Sequence, residues 1–198
     1  MPAAKRISKE AIIDAAAAVL RIGGFEAINA RSVAEALGCS TQPIYLSFRN
    51  MEELKSALTQ RAIEQHTQRV RESLRAHEGC DSRYSSYGMG FVQFAAQEKQ
   101  LFRWLYLEDN QPGRHQEDVL EPEIIRTVMD EFGYDEVTAR AFHRDMTYYS
   151  YGLAILANTG HLALTETELR EAFRREFRAL AAYYGPPKKL PEFAEREN

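Results

Sequence analysis

The chain has 198 residues, of which 44% are hydrophobic and 27% charged, and its formal net charge is −4. This size and composition suit one larger domain or two small domains with buried cores. No apolar run approaches the roughly 20 residues that cross a bilayer, and no apolar signal segment follows the basic residues of 1–9. We therefore expect a soluble, cytoplasmic protein that has no membrane partner.

Side chains that would indicate catalysis or metal binding are sparse and scattered. Cys39 and Cys80 have no metal-ligand spacing and suit a reducing compartment. His66 and His77 lie about three helical turns apart, too far to share one metal ion. A Gly-rich phosphate loop, an HExxH motif and a GxSxG motif are all missing from the sequence. The sequence thus predicts neither an enzyme nor a metal site, and it indicates no cofactor.

The charges are unevenly distributed along the chain. Acidic residues are frequent in 108–136 and 166–176. Lys5, Arg6 and Lys9 lead the chain, and Arg31, Arg49 and Lys55 follow within its first third. A basic leading end can meet phosphate while the rest stays acidic, although on charge alone these residues are equally consistent with an ordinary solvated surface.

Apolar residues recur at helical spacing in nearly every segment, and no stretch alternates with period two over a strand length. The predicted fold class is therefore all-α, with a small amino-terminal domain and a larger helical one. The later elements are predicted as a long helix at 51–76 after an Asn50 cap, helices at about 82–97 and 98–108, a polar loop at 109–121, a helix opened by Pro122, a helix from Asp135 to Gly160, and a last helix from a Thr165/Glu168 capping box to Tyr184.

Three short helices are predicted before residue 50. The first is capped by Ser8 and stopped by the glycine pair 23–24. The second covers about 30–37 and ends at Gly38, where a left-handed backbone is wanted, and Ser40 can cap the third. A tight turn between two short helices is typical of a helix-turn-helix, whose second helix enters the major groove of DNA.

The third helix has two distinct faces on a helical wheel. Ile44 and Phe48 point toward the core. The residues on the outward side and at the helix start are Ser40, Thr41, Gln42, Pro43, Tyr45 and Leu46. Gln42 can pair with adenine, Leu46 can touch a thymine methyl, and the Tyr45 hydroxyl can reach a phosphate. From the turn alone, a plain corner of a helical fold is as good an interpretation as DNA binding.

The order of cap, glycine pair, aromatic residue, turn and second cap favours DNA binding. The run GGFEAINARSVAEALGCSTQPIYLSFRNMEEL resembles the amino-terminal domain of the TetR family of bacterial regulators over roughly 8–58. The resemblance implies that the outward residues above approach DNA, together with Arg31, and that Lys55 reaches a phosphate. Family members often have His where this chain has Ser47 and Lys where it has Met51. Each difference removes a phosphate partner and should weaken binding without changing sequence preference.

The resemblance also implies a function and partners. The chain is then a sequence-specific transcriptional regulator, a repressor released from operator DNA by a small-molecule effector. Its last two long helices, about 135–160 and 166–184, would form a homodimer, although their apolar stripes fit packing within one subunit equally well. The implied domains are 1–50 for DNA binding, 51–185 for ligand binding and dimerisation with 51–76 as connecting helix, and 186–198 as a disordered tail. The alternative function is a helical adaptor that binds proteins through the same outward patch.

Aromatic residues are concentrated in the second domain, where they can line a pocket or simply form the core. A tyrosine cluster beside His143 is the preferred place for polar contacts with a ligand, because buried hydroxyls need partners. The candidate ligand-binding residues are Tyr87, Phe91, Phe102, Trp104, His143, Tyr148 and Tyr151.

Overall fold

The computed structural model describes residues 7–75, 82–108 and 112–187, without the side chains of Ser73, Arg75 and 112–118. Within these ranges all regular elements are helical, which confirms the predicted fold class. The α-helices are α1 (Lys9–Gly23), α2 (Ala30–Leu37), α3 (Gln42–Ser47), α4 (Met51–Arg75), α5 (Arg83–Gln97), α6 (Lys99–Phe102), α7 (Pro112–Phe132), α8 (Glu136–Thr159) and α9 (Glu166–Tyr184). A 3₁₀ turn occupies Phe25–Ala27, and a π-helix, Arg103–Leu107, follows α6. None of the described helices is long and apolar enough to cross a membrane.

The chain forms two compact units. The first unit comprises Met1–His66 and Glu98–Arg114, and the second comprises Thr67–Gln97 and His115–Asn198. This division differs from the predicted boundary after Asn50, because the first part of α4 buries Leu54 and Leu58 in the first unit. The functional division at that boundary stays a prediction.

The first unit is built around the predicted short helices. Ser8 caps α1 by accepting a hydrogen bond from the Ala11 amide, and Gly38 ends α2 with φ 66° and ψ 34°. Thr41, not Ser40, occupies the cap position of α3, and its side chain makes no capping hydrogen bond. The apolar core of this unit includes Ile12, Ala16, Leu20, Ile28, Val33, Ile44, Phe48, Leu54 and Leu58. The burial of these side chains is the main term that holds the short helices together.

The second unit has an aromatic core. Rings from α5, α7, α8 and α9 meet here, with the Phe132 and Phe177 centroids 4.9 Å apart and those of Phe132 and Phe142 5.8 Å apart. The buried line of α8 is Ala139, Phe142, Met146, Ser150, Ala154 and Asn158. Tyr149 and Leu153 are only half-buried, although they continue the helical spacing of Phe142 and Met146. Small and polar residues can face a core when larger rings from neighbouring helices fill the space.

Helix α7 differs from its prediction. The expected loop 109–121 and the helix start at Pro122 are wrong for the described part, because α7 begins at Pro112 and continues through Pro122. Proline at the start of a helix loses no hydrogen bond, whereas in the interior it loses one and crowds the preceding turn. The cost is offset by a continuous buried stripe on both sides of Pro122, at Leu120, Ile124, Ile125, Val128 and Phe132.

The end of the chain also departs from the prediction at two positions. Residues 186 and 187 were predicted to open a disordered tail, but both are described and Pro187 is buried. The hydroxyl of Tyr134 donates to the Gly185 carbonyl at 2.9 Å, which holds the segment after α9 in place. The rest of the predicted tail lies outside the described residues.

Replacing Pro122 with alanine tests whether α7 is continuous. We expect Pro122→Ala to increase the free energy of unfolding by about 1–3 kcal/mol, because an interior hydrogen bond is regained in an exposed position. Arg126→Ala, another exposed α7 position, is the control and should change stability by less than about 0.5 kcal/mol. Chemical denaturation measures both. An unchanged or lower stability for Pro122→Ala would mean that α7 is interrupted at this proline.

Candidate nucleic-acid interface and internal cavity

Helix α3 has one buried side and one side open to solvent, as its sequence predicts. Ile44 and Phe48 are buried in the first unit. Gln42 is exposed, and the side of the helix next to it presents Tyr45 at 56% and Leu46 at 80% exposure. An amide, a hydroxyl and an apolar branch therefore lie together on one short surface. This combination matches the mixture of hydrogen-bonding edges and methyl groups in a major groove.

The turn before α3 is held by backbone hydrogen bonds. The Cys39 amide donates to the Ala34 carbonyl at 3.0 Å, and the Gly38 amide donates to the Glu35 carbonyl at 3.1 Å. At the other end of α2, the Asn29 side chain accepts from the Arg31 and Ser32 amides, completing a capping box. Both ends of α2 are thus defined, which sets the direction in which α3 leaves the turn.

The cations near these helices differ in how they are engaged. Arg31 is exposed and pairs with Glu35 at 3.1 Å, a surface ion pair that can readily exchange for a phosphate. Lys55 Nζ lies 4.7 Å from the centroid of the Phe25 ring. This cation–π contact competes with a phosphate for the Lys55 ammonium group. Arg49 was not among the residues that the sequence predicted to contact DNA. Its side chain is 93% exposed directly after Phe48 and Nε lies 4.0 Å from Glu53, and this position next to α3 is the signal that could have identified it.

The second unit contains a cavity lined by α5, α8, α9 and the end of α7. Its volume is about 30 Å³. Four residues predicted to bind a ligand line it, namely Tyr87, Phe91, His143 and Tyr151. The lining residues that the sequence did not indicate include Tyr84, Ser85, Gly88, Phe132, Met146, Thr147, Ser150, Phe173, Arg174 and Phe177. Several of these are small or polar and so give no aromatic signal.

Three predicted ligand residues do not line this cavity. Phe102 and Trp104 belong to the first unit, where Trp104 stacks on Phe25 with ring centroids 4.7 Å apart and planes 15° apart. Tyr148 lies in α8 but points outward and is 68% exposed. Aromatic spacing shows that a residue shares a helix face. It does not show which compact unit that face joins, so the sequence could not tell that these three residues lie outside the cavity lining.

A polar pair lies within the aromatic cavity. The Tyr84 hydroxyl lies 2.8 Å from His143 Nδ1. Burial lowers the pKa of His143 to about 4 and raises the pKa of Tyr84 well above its ordinary range. Both groups are therefore uncharged at neutral pH, and the pair offers hydrogen bonds without a net charge.

Glu131 of α7 positions Tyr84. Its carboxylate accepts from the amides of Arg83 at 2.9 Å and Tyr84 at 3.1 Å, and from Arg83 Nε at 3.0 Å. These bonds satisfy amide groups in the first turn of α5, where a negative charge is also favoured by the helix dipole. The beginning of α5, and with it the Tyr84 ring, is thereby fixed against α7.

Gly88 allows α5 and α9 to approach closely. A Cβ atom at this position would lie 2.8 Å from Cε1 of Phe173, which is closer than carbon atoms tolerate. The glycine interrupts an otherwise regular helix sequence, at a cost of about 1 kcal/mol relative to alanine. This interruption was the signal in the sequence that another group packs against the backbone here.

Comparison with known proteins identifies the amino-terminal domain. Residues 12–58 match the sequence model of the family described as bacterial regulatory proteins, tetR family. The amino-terminal domain is that of the TetR family. The function of the chain is that of a DNA-binding transcriptional regulator. No curated protein sequence matches the chain.

Solved structures similar to this chain extend the comparison over nearly its whole length. The fatty acid degradation regulator FadR from Bacillus halodurans has a TM-score of 0.56 at 16% identity, covering 92% of this chain and 97% of its own. A putative transcriptional regulator from Pseudomonas aeruginosa PAO1 has a TM-score of 0.58 at 18% identity, covering 88% and 90%. SmeT, the repressor of the Stenotrophomonas maltophilia multidrug efflux pump SmeDEF, has a TM-score of 0.54 at 16% identity, covering 93% and 96%. At these identities the likeness establishes the fold.

The pKa of His143 predicts a pH dependence of stability. Because its folded-state pKa is about 4 and its ordinary value 6.5, the unfolded chain binds the proton more readily, and stability is lost as pH falls through this window. The loss attributable to His143 should approach about 3 kcal/mol near pH 4. We expect the difference in unfolding free energy between wild type and His143→Gln to shrink by this amount from pH 7 to pH 4. Parallel denaturation profiles for the two proteins would contradict the buried, neutral imidazole.

Proposed function

We propose that this TetR-family regulator represses transcription by binding operator DNA as a homodimer through α3, and that a small molecule in the cavity of the second unit releases it. The observation that carries the proposal is the face of α3, which keeps Gln42, Tyr45 and Leu46 in solvent while Ile44 and Phe48 are buried. An exposed leucine beside a glutamine on a rigidly held helix is well suited to base edges and thymine methyls.

The residues of this interface have different proposed roles. Gln42 reads adenine in the major groove, and Pro43 and Leu46 contact thymine methyls. Contacts to phosphate come from Ser40, Thr41, Tyr45, Arg31, Lys55 and Arg49. Ser47 and Met51 carry no positive charge, so each half-site neutralises fewer phosphates and binding depends less steeply on salt.

Dimerisation through α8 and α9 is supported by apolar groups that remain exposed on both helices. On α8, Tyr148, Ile155 and Leu156 are 68%, 39% and 44% exposed, and Gly152 lies between them on the same side of the helix. On α9, Tyr183 is 80% exposed. A second copy that covers these groups would bury apolar surface and place two α3 helices for two half-sites related by twofold symmetry.

The size of the cavity sets how a ligand could act in the proposed mechanism. Its volume of about 30 Å³ is far below the roughly 300–1,000 Å³ of sites that hold drug-sized molecules. A ligand can therefore enter only if the lining helices move apart. In the proposed mechanism, the occupied form favours a spacing of the two α3 helices that no longer fits successive grooves, which shifts the population away from DNA.

Two other functions are less well supported. A helical adaptor would use the same outward patch of α3 for a protein partner, but the match of residues 12–58 to a family of bacterial regulatory proteins favours DNA. We propose no catalytic activity, since the known relatives are regulators by name. SmeT is named as a repressor, and repression is the proposed outcome for this chain as well.

A mobility-shift assay with DNA from upstream of the chain's own gene, at two salt concentrations, tests DNA recognition. Gln42→Ala should lose preference at one base position, at a cost of about 1–3 kcal/mol there. Tyr45→Phe should weaken all sites alike, because a phosphate contact carries no sequence information. Arg126→Ala, in α7 of the second unit, is the control and should bind as wild type does. Identical effects of the first two changes would contradict the assigned roles, and no selective binding by wild type would refute DNA recognition.

A charge placed in the proposed dimer surface tests the homodimer. We expect Leu156→Glu to raise the dimer dissociation constant at least about 100-fold, since an unpaired carboxylate would be buried between two copies. Val119→Glu changes a valine of α7 that is 61% exposed and is the matched control. Sedimentation velocity over a range of protein concentrations measures both variants. A Leu156→Glu protein that remains as dimeric as the Val119→Glu protein would exclude this surface.

A further inference from the structure

The chemistry of the cavity lining narrows the class of effector. We propose that the cavity of the second unit selects an uncharged aromatic molecule with one hydrogen-bond acceptor, which the Nε2–H group of His143 binds. This inference rests on the proposed function, in which a small molecule occupies the cavity. It adds the shape, charge and hydrogen-bonding type of that molecule.

The walls of the cavity favour a flat apolar body. The rings of Phe91 and Tyr151 are in contact, with centroids 4.9 Å apart and planes tilted by 52°, and Phe173 and Phe177 line the cavity from α9. Met146 contributes a polarisable thioether to the same lining. Aromatic rings in such a set can meet a ligand ring edge to face or offset, which favours an aromatic molecule over a bulky saturated one.

The orientation of the Tyr84–His143 hydrogen bond determines what His143 offers. Among the residues that the structure describes, the Tyr84 hydroxyl has no polar partner other than His143 Nδ1 at 2.8 Å. A buried hydroxyl group needs an acceptor for its proton, so Tyr84 donates the hydrogen bond and His143 Nδ1 accepts it. A neutral imidazole carries one proton, which then resides on Nε2. His143 has no further hydrogen-bond partner within the described part of the chain, so Nε2–H is an unused donor at the cavity.

Neighbouring hydroxyl groups already use their protons. Thr147 Oγ1 donates to the His143 carbonyl at 2.8 Å, and Ser150 Oγ donates to the Met146 carbonyl at 2.8 Å. Both bonds stay within α8 and leave these oxygens with acceptor capacity only. Of His143, Thr147 and Ser150, His143 is therefore the one that offers a donor to a ligand acceptor.

The charges around the cavity disfavour an ionised ligand. Arg174 lines the cavity, but its Nη1 atom lies 2.6 Å from Glu171 Oε1, so an anionic ligand would have to compete with that carboxylate. Among the described lining residues there is no Asp or Glu to receive a cationic ligand. His143 is itself uncharged at neutral pH. A neutral acceptor such as a carbonyl oxygen avoids burying an unpaired charge.

Three compounds of nearly the same shape separate these possibilities in the full chain. Acetophenone carries a neutral carbonyl, α-methylstyrene replaces its oxygen with a CH₂ group, and benzoate carries a negative charge. Amide NMR titrations at pH 7 locate the binding and give a dissociation constant for each compound. We expect acetophenone to bind at least about tenfold tighter than α-methylstyrene, with benzoate weakest.

Variants connect this preference to His143. His143→Phe should reduce the preference for acetophenone over α-methylstyrene to less than about twofold, whereas His143→Gln, which retains an N–H donor, should keep most of it. Arg126→Ala, an exposed change in α7 that does not line the cavity, is the control, with the preference unchanged. The amide spectrum of each variant reports directly whether it is folded.

The outcomes distinguish this inference from the function on which it rests. Benzoate binding more tightly than acetophenone, or an unchanged preference in His143→Phe, overturns the ligand class while leaving the cavity as the effector site. Equal binding of all three compounds would also overturn the ligand class and leave the cavity as the effector site. Binding of none of them overturns both the ligand class and the cavity as an effector site. Operator binding is measured on the same protein by mobility shift. That result tests DNA recognition and does not depend on the ligand class.

Discussion

The burial of Ile44 and Phe48 orients α3, the helix that we propose recognises DNA. Each side chain removes a large apolar surface from water, at a gain of roughly 1.5–3 kcal/mol. Since α3 has only six residues and too few internal hydrogen bonds to be stable alone, these two anchors hold it as a helix and also set its rotation. With that rotation set, Gln42, Tyr45 and Leu46 cannot turn inward. The outward side of α3 is thus a consequence of packing in the first unit.

A similar constraint organises the cavity of the second unit. Gly88 lets α5 approach Phe173 closely, and Glu131 holds the beginning of α5. Together they place Tyr84 against His143, so an uncharged polar pair sits among aromatic rings. The cavity holds only about 30 Å³, so under the proposed function a ligand would have to separate the helices that line it. Binding energy would then be spent on moving the helices, and this is how a small molecule can bias the conformation of a larger protein.

Much of the fold could be predicted from local sequence, because helix ends carry their own signals. The caps at Ser8 and Asp135 and the Thr165 capping box are where the sequence placed them. Pro122 was misinterpreted because its local cost is real and only a buried stripe on both sides of it outweighs that cost. The sequence contained less information about which aromatic residues share the cavity. Phe102 and Trp104 have the same aromatic character as Phe91, and nothing in their spacing reveals that they join the first unit.

The sequence by itself determined the helical class, most helix boundaries and the amphipathic pattern of α3, since these depend on residues within a few positions of one another. Those short-range patterns also predicted the helix-turn-helix and its family. Tertiary structure alone decided which aromatic residues share a cavity. It also decided that Tyr84 hydrogen-bonds to His143 and that Lys55 lies over the Phe25 ring. These properties depend on groups brought together from distant parts of the chain, where burial and hydrogen bonding act between partners that no local pattern relates.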